Sequence, residues 1–276
     1  MMKQSLLFIL LMLLFAGCSS RIGDNVTITI KGSDSMLQLT ENLANEYMKQ
    51  NPGISIYVNG GGTAAGIKSL INGDIDVCTA SRNLKPEEAK SLAEYYRSVG
   101  FFYLIAKDAL SIYVNPSNPV KYLSLENLRK IFEGKITNWS ELGGKNQKII
   151  PVIRNLNSGT HLYFKEHVLE ADNYSNDAIV KPTTPEIIEY IEQNENAIGY
   201  GSMGYQGNIF RVRIEGIEPS EENARNDTYP ITRYLHFFTT NVQRGAVKKF
   251  IDWVLSPEGQ AVVKQSGFIP LWEIKK

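Results

Sequence analysis

Residues 26–53, VTITIKGSDSMLQLTENLANEYMKQNPG, decide the fold because they place a strand, a polar turn and a helix in direct succession. Apolar residues alternate over 26–30, a pattern typical of a half-buried strand, and the strand ends at a glycine. Ser35 and Gln38 have the spacing of a capping box, so Ser35 is expected to cap the helix. Apolar residues then recur at helical spacing over 36–47, and the closing Asn-Pro-Gly stops the helix.

The same order of elements continues along the chain. Alternation over 54–58 predicts a second strand, apolar spacing over 67–71 predicts a short helix, and the run 75–79 predicts a third strand. Strands that alternate with helices favour a parallel sheet with helices packed on its faces.

The middle of the chain predicts a change of lobe. The apolar runs Phe101–Ala106 and Ala109–Val114 predict two adjacent strands, and the segment Asn-Pro-Ser-Asn-Pro at 115–119 is interpreted as the crossing into a second lobe. The apolar run 234–240 is expected to cross back. The other predicted elements are a helix at 124–132, a strand at 149–153, and helices that begin after Ser158, at Thr184, near Val247 and at Ser256.

These elements predict an α/β protein with two lobes joined by two crossings. We expect lobe one to comprise residues 26–107 plus 236–276 and lobe two to comprise 108–235. Ligands of open α/β sheets bind where strands end and loops enter helices. A ligand held by loops of both lobes would therefore lie in the cleft between them.

Three polar stretches precede predicted helices and suggest what that ligand is. They are Gly32–Ser35, Gly60–Thr63 and Arg154–Thr160, and Arg82 follows a strand close to the second. Helix N-termini present free N–H groups and the positive end of the helix dipole. Together with hydroxyls and guanidinium groups, three such ends would form a socket for a small tetrahedral anion.

Each stretch also has a purely structural interpretation. Arg154 and the turn after it fit a plain strand–turn–helix, the glycines fit a simple turn, and Arg82 could pair with Glu87 or Glu88. Asp34 could be no more than a helix cap. Its functional interpretation is more specific, because a fixed carboxylate accepts a hydrogen bond from a protonated anion such as hydrogen phosphate and repels sulfate.

The first 25 residues are expected to be a targeting segment. A short basic region, an apolar run and small residues before Cys18 predict a lipoprotein signal peptide at 1–17, lipidation of Cys18 and a tether at 18–25. An ordinary signal peptide with an incidental cysteine is the alternative. The only other cysteine, Cys78, lies in an apolar run and is expected to be a small buried residue without a disulfide partner.

Composition excludes several classes of function. Lysine and arginine total 29 and so do aspartate and glutamate, which leaves no net charge and argues against nucleic-acid binding. The three histidines, including His161 near the predicted anion, do not have the spacing of metal ligands. Residues 199–204 fit the dinucleotide pattern G-x-G-x-x-G, but the segment after them predicts a strand where nucleotide binding needs a helix. The aromatic residues between 95 and 103 are expected to be core.

Several motifs together resemble the PstS phosphate-binding proteins, the substrate-binding lipoproteins of bacterial phosphate ABC importers. The resemblance covers nearly all of the chain after Cys18. Its motifs are Gly32-Ser33-Asp34-Ser35-Met36, Gly60-Gly61-Gly62-Thr63 with Gly66-Ile67-Lys68, Ile71-Asn72-Gly73 with Asp76, Ala80-Ser81-Arg82, the run Ile131 to Trp139, Ser158-Gly159-Thr160 and the run Leu255 to Gln260.

The resemblance implies a type II periplasmic-binding-protein fold with a dehydrated phosphate between the lobes. It implies that the phosphate ligands are Asp34 and Ser35, Thr63 in place of a usual serine, and Arg154, Ser158, Gly159 and Thr160 at the family spacing. Many members have a hydroxyl where Asp34 stands and an acid where Arg82 stands, so the acid and the base are exchanged between loops here, as in a known subgroup. Ala64 and Ala65 also replace a more polar pair.

The function expected from these observations is capture of inorganic phosphate by a monomer that delivers it to an ABC permease, with no cofactor and no catalysis. A binding protein or sensor for another oxyanion stays open, as do an extracellular phosphatase and an adhesion protein.

Overall fold

The computed structural model describes residues 26–273, whose strands form one ten-stranded sheet with helices on its faces. The strands are β1 Val26–Gly32, β2 Ile54–Asn59, β3 Val77–Ala80, β4 Phe101–Val114, β5 Tyr122–Leu123, β6 Ile150–Arg154, β7 Ile179–Lys181, β8 Ala197–Ser202, β9 Phe210–Ile214 and β10 Thr232–Thr239. The helices are α1 Leu37–Gln50, α2 Thr63–Asn72, α3 Pro86–Tyr96, α4 Leu125–Glu133, α5 Gly159–His167, α6 Thr184–Gln193, α7 Glu221–Arg225, α8 Gly245–Val254 and α9 Pro257–Gln265. Short 3-10 helices occupy Asp34–Met36 and Trp139–Leu142.

One end of the sheet is the parallel unit that the N-terminal pattern predicts. β1 lies between β2 and β3 and is parallel to both. The strand–helix–strand order predicted for residues 26–80 is therefore confirmed. Ile28 and Ile30, the alternating residues of β1, are fully buried, because they pack into the core beneath α1.

β4 and β10 connect the two ends of the sheet. Phe101–Ala109 of β4 pair antiparallel with β10, and Leu110–Val114 of the same strand pair with β8. The two strands predicted here are one strand of fourteen residues. The polar pair Lys107 and Asp108 does not interrupt it, because Lys107 Nζ binds Asp227 Oδ1 at 2.6 Å and Asp108 binds an arginine of β10.

The other end of the sheet is again partly parallel. β6 lies between β7 and β8 and is parallel to both, and β9 pairs with β4 and β5. Residues 199–204 form the end of β8 and the turn after it, and strand β9 follows. This confirms that no helix stands where the dinucleotide pattern would need one.

The sheet has a separate hydrophobic core at each end. The first core packs β1 against α1, α8 and α9, and it contains Leu39, Leu43, Phe237 and Phe250 among others. The second core packs β4 and β8 against α4 and α5 around Phe132, Trp139, Phe164 and Tyr200. Burial of each such side chain contributes about 1.5–3 kcal/mol, so each half is stabilised by its own core. We call β1–β3, α1, α2, α8 and α9 the first half, and β5–β9 and α4–α7 the second half. Helix α2 packs on β3 in a smaller cluster of its own, and α6 packs on β6 and β8 in another.

The aromatic residues before and within β4 do not follow the prediction. Tyr95, Phe101 and Phe102 are 76%, 41% and 63% exposed, so their assignment to the core is wrong. Burial along β4 begins only at Ile105, because the first residues of the strand extend beyond the covering core. Cys78, in contrast, is fully buried as predicted, and burial raises the pKa of its thiol.

Helix ends are capped by hydroxyls near the predicted positions. Ser124 and Ser256 accept hydrogen bonds from the backbone N–H groups of Asn127 and Gly259, as expected of N-caps. The cap of α6 is Thr183 rather than Thr184, and Thr184 faces the interior.

No helix within residues 26–273 has the length and apolar character that crossing a bilayer requires. The predicted signal peptide and tether, including Cys18, lie outside the described residues.

Candidate functional site

Five hydroxyl side chains meet between the two halves and form what we call the hydroxyl cluster. Its members are Ser33, Ser35, Thr63, Ser81 and Thr160, and each is at most 3% exposed. Ser33 Oγ lies 2.8 Å from Ser35 Oγ and 3.0 Å from Ser81 Oγ. Thr63 Oγ1 lies 3.5 Å from Ser81 Oγ, and Thr160 Oγ1 lies 3.3 Å from Ser35 Oγ. Thr160 thus joins hydroxyls of the first half to the second half.

The sheet brings the hydroxyls of the first half together. β1 and β3 are adjacent and parallel, so the residues after their carboxyl ends come side by side, and Ser33 N donates to Thr79 O at 2.9 Å. α2 begins at the same edge, because Gly62 N donates to Gly32 O at 2.9 Å. This is the strand-end position at which open α/β sheets bind ligands.

The second half contributes the start of α5. Ser158 is its N-cap, and its Oγ accepts hydrogen bonds from Thr160 N at 3.2 Å and His161 N at 3.3 Å. Helix α5 therefore directs the positive end of its dipole at the hydroxyl cluster. The prediction of a capped helix after the Arg154–Ser158 turn is confirmed.

Glycines allow the two halves to touch. A Cβ on Gly159 would lie 2.4 Å from Thr63 Oγ1 and 2.6 Å from Ser81 Oγ, closer than atoms can approach. A Cβ on Gly62 would lie 2.5 Å from Asn157 O of the second half. Both positions need glycine because backbone of one half lies directly against the other.

Arg154 and Asp34 form an ion pair across the halves. Arg154 Nη2 donates to Asp34 Oδ2 at 3.0 Å, and the arginine side chain is 1% exposed. Its other nitrogens donate to Pro182 O at 2.9 Å and Thr184 Oγ1 at 3.2 Å. Burial lowers the pKa of the Arg154 guanidinium, while the charge of Asp34 acts in the opposite direction. Asp34 Oδ1 accepts the N–H of Gly61 at 2.7 Å.

Arg82 does not reach the hydroxyl cluster. Its two terminal nitrogens donate to Glu88 at 2.8 and 2.7 Å, and Nη1 also donates to Asn83 O at 2.7 Å. The pairing with Glu88 that the sequence left open is therefore the observed one, although Arg82 is buried rather than on the surface. Glu88 captures it because the first turn of α3 presents a carboxylate to the bidentate guanidinium.

Arg233 of β10 makes the guanidinium contact with the hydroxyl cluster that was expected of Arg82. The sequence analysis did not identify Arg233. Its Nη1 donates to Thr160 Oγ1 at 2.9 Å, and its Nε and Nη2 donate to Asp108 Oδ2 at 3.1 and 2.9 Å. Asp108 also accepts the hydroxyl of Ser202 at 2.7 Å. The available signal was an ionisable residue directly beside each of two apolar runs: Asp108 precedes the run 109–114, and Arg233 precedes the run 234–240. Charged groups that continue such strands into the core need a partner.

Ser35 has a role other than the predicted cap. α1 starts at Leu37 after the 3-10 turn, and Met36 precedes it as an N-cap residue without a side-chain bond. The capping box with Gln38 is therefore wrong. The 3-10 turn rotates Ser35 inward, where its hydroxyl joins the cluster instead of the helix amides.

Two further contacts hold the site. Tyr205 of the second half donates its hydroxyl to Asp34 O at 2.8 Å. His161 is buried, and its Nδ1 lies 2.8 Å from Arg154 O at the end of β6. Burial lowers the pKa of His161 below its usual value, so the ring is neutral at pH 7.

The site can bind an oxyanion. Buried hydroxyls, amides at the start of α5 and two guanidinium groups supply donors, and each guanidinium is balanced by one carboxylate. Among residues 26–273 no group of three or more histidine, cysteine or acidic side chains is arranged to hold a metal ion.

Comparisons with known proteins agree with this chemistry. Residues 19–258 match the family model of the PBP superfamily domain. The phosphate-binding protein PstS of Bacillus subtilis is 31% identical over 255 residues, which cover 90% of this chain and 82% of that protein. PstS of Borreliella burgdorferi is 27% identical over 277 residues and 96% of both chains.

A solved structure of a related protein also has this fold. The crystal structure of a phosphate ABC transporter substrate-binding protein from Clostridium perfringens, with bound phosphate, superposes with a TM-score of 0.83. It is 33% identical in sequence, and the match covers 89% of this chain and all of that one. The chain therefore belongs to the PstS family of the PBP superfamily and has the type II periplasmic-binding-protein fold.

Proposed function

We propose that the protein binds inorganic phosphate at the hydroxyl cluster and releases it to the permease of a phosphate ABC importer. One observation carries the proposal: buried donors from both halves converge on one point, flanked by the Asp34–Arg154 and Asp108–Arg233 pairs. Relatives named phosphate-binding protein PstS and a related structure with bound phosphate support the identity of the anion.

The donors would replace the water around a phosphate dianion. Hydroxyls rotate freely, so the members of the hydroxyl cluster can exchange their mutual hydrogen bonds for bonds to phosphate oxygens. Thr160 and the start of α5 add amides and the helix dipole, and Arg154 and Arg233 offset the charge. Arg82 is not included, because Glu88 holds its terminal nitrogens.

Asp34 would distinguish phosphate from sulfate. Each of its carboxylate oxygens accepts one hydrogen bond from the protein, and a carboxylate has about four acceptor positions in total. A remaining position can accept the proton of hydrogen phosphate, which sulfate lacks. An anion without that proton would place its negative charge against Asp34.

Binding would be coupled to closure of two lobes. We propose the boundaries expected from the sequence, 26–107 plus 236–276 and 108–235, with β4 and β10 as the hinge. Support comes from the two hydrophobic cores and from the pairing of β4 with β10 on one side and β8 on the other. Contacts such as Tyr205 with Asp34 would form on closure.

We further propose that the protein is exported and attached to a bacterial membrane through lipid on Cys18. The sequence before Cys18 supports this. Mass spectrometry of the membrane-bound protein should find a diacylated N-terminal Cys18, and Cys18→Ser should release the protein from the membrane. An unmodified protein that begins at another residue would contradict the anchor.

Calorimetric titration with phosphate and with sulfate tests the binding proposal. We expect one tight phosphate site with a Kd on the order of micromolar or lower and no comparable sulfate site. Absence of phosphate binding in that range would reject the proposal. The protein should also leave a generic phosphoester intact, because the proposed role is capture and release without chemical change.

A further inference from the structure

A pocket with a volume of about 350 Å³ lies beside the hydroxyl cluster, and most of the residues that line it are not among the proposed phosphate ligands. We call it the side pocket. Three segments line it, residues 81–86 after β3, residues 163–167 of α5 and residues 233–236 of β10. It therefore touches the first half, the second half and one of the strands that connect them.

Two buried nitrogen atoms in the side pocket lack partners. Arg82 and His236 are 4% and 5% exposed, and both line the pocket. Within residues 26–273, neither Arg82 Nε nor His236 Nδ1 has a hydrogen-bond partner. Buried polar groups without partners are costly and rare. The Nε–H of Arg82 can only donate, so it calls for an acceptor that the described residues do not supply. Nδ1 of His236 adds a second donor in the tautomer that carries its proton there.

The charge around the pocket favours an anionic acceptor. Glu88 occupies the terminal nitrogens of Arg82 and leaves its Nε–H without a partner among the described residues. Lys85 stands at the N-cap of α3 with a side chain that is 38% exposed, and its contact with Glu87 is loose at 3.9 Å. Among the lining residues the carboxylate is Glu166, which is exposed to solvent.

The side pocket shares two residues with the proposed phosphate site. Ser81 belongs to the hydroxyl cluster and also lines the pocket. Arg233 donates to Thr160 on the cluster side, and the ring of Tyr163, which lines the pocket, lies 5.7 Å from its Cζ. The Arg233 side chain therefore lies between the hydroxyl cluster and the side pocket.

We infer that the side pocket is a second, weaker site for a small oxyanion, adjacent to the hydroxyl cluster and formed by Arg82, Lys85 and His236. This inference rests on the proposed function only in its choice of inorganic phosphate as the test ligand. The affinity is expected to be on the order of 1–10 mM, because the donors are few and the lysine is partly solvated. Since no buried carboxylate is free to accept a proton there, sulfate should bind as well as phosphate does.

The test is an NMR titration of the protein after its tight site has been filled with phosphate. Phosphate, and separately sulfate, is added through the millimolar range at constant ionic strength while backbone amide signals are followed. We expect saturable shifts confined to residues 81–86, 163–167 and 233–236. Lys85→Gln should weaken this binding about two- to fivefold, the value of one exposed ion pair, and leave the tight phosphate site unchanged.

Lys145→Gln is the matched control, since Lys145 is also a partly exposed lysine beside a carboxylate, 3.2 Å from Glu195, and does not line the pocket. Shifts that do not saturate, that spread over the surface, or that Lys145→Gln weakens as much as Lys85→Gln would overturn the inference and mean an adventitious ion only. Lack of a tight phosphate site would instead contradict the proposed function, and the millimolar titration would still decide the side pocket.

Discussion

At the scale of single residues, the proposed site depends on two arginines that are each held by a carboxylate. Arg154 is held by Asp34 across the halves, and Arg233 is held by Asp108 between the connecting strands. The carboxylates fix the direction of each guanidinium and reduce the cost of burying it. A fixed guanidinium loses less entropy when it binds an anion, which is the benefit of preorganisation.

Asp34→Asn tests the role assigned to that carboxylate. The variant should bind phosphate about 10- to 150-fold more weakly, the value of a hydrogen bond to a charged group. The affinity for sulfate should fall less than the affinity for phosphate, or should rise, because a negative charge beside the bound anion has been removed. Calorimetry with both anions measures the ratio. Selectivity equal to that of the wild type would contradict the role of Asp34.

His236 predicts a pH dependence of stability. Burial lowers the pKa of His236 to about 4 from an ordinary value of 6.5. Between these values the unfolded chain binds the proton and the folded chain does not, so the free energy of unfolding falls as pH decreases from about 6.5 to about 4. The loss from this group is about 3 kcal/mol.

Denaturant unfolding at several pH values checks this prediction. His236→Gln should show a smaller loss of stability across that range than the wild type does. His167→Gln, at an exposed histidine, is the control. Parallel pH profiles for the wild type and His236→Gln would show that His236 is not the group responsible.

At the scale of elements, the sequence predicts strand–turn–helix units well because their signals are local. The β1–α1 and β6–α5 units and the caps at Ser124 and Ser158 follow from short patterns. The predictions fail where contacts between residues distant in the chain decide between two locally possible conformations. Ser35 joins the hydroxyl cluster instead of capping α1, and β4 continues through Lys107 and Asp108 because distant residues pair with them.

Substitutions at two helix caps distinguish an effect on stability from an effect on phosphate binding. Ser124→Ala and Ser158→Ala each remove a hydroxyl that caps a helix, so each should lower the free energy of unfolding by about 1 kcal/mol. Only Ser158→Ala should also weaken phosphate binding, by about 2- to 12-fold, because Ser158 is among the ligands that the family resemblance implies and it caps the helix that points at the hydroxyl cluster. Thermal unfolding and calorimetry measure the two effects. Equal phosphate affinity in both variants would remove Ser158 from the site.

At the scale of the whole molecule, the site exists only when distant segments are brought together. Arg233 lies 73 residues from Thr160 and 125 from Asp108 along the chain. No local pattern relates such residues, and this is why the sequence predicted Arg82 in place of Arg233. The resemblance to the PstS family identified most of the hydroxyl and arginine candidates, because their motifs are short and contiguous.

If the halves close on the anion, a single added methyl group at Gly159 should weaken phosphate binding. In Gly159→Ala the new Cβ would meet Thr63 Oγ1 at 2.4 Å and Ser81 Oγ at 2.6 Å, so the halves could not approach fully. Phosphate affinity should fall about 5- to 150-fold, the range for overpacking, with little change in the stability of either core. Gly53→Ala is the control, since nothing lies within 4 Å of its Cβ position. Similar affinities for the two variants would contradict closure through Gly159.

A crystal structure of the protein grown with phosphate would show whether the anion binds between the halves. We expect one phosphate there, within hydrogen-bond distance of the hydroxyl cluster, the start of α5, Arg154 and Arg233, with one oxygen on Asp34. Only water at that point at saturating phosphate, with both guanidinium groups directed away from it, would rule out the proposed site.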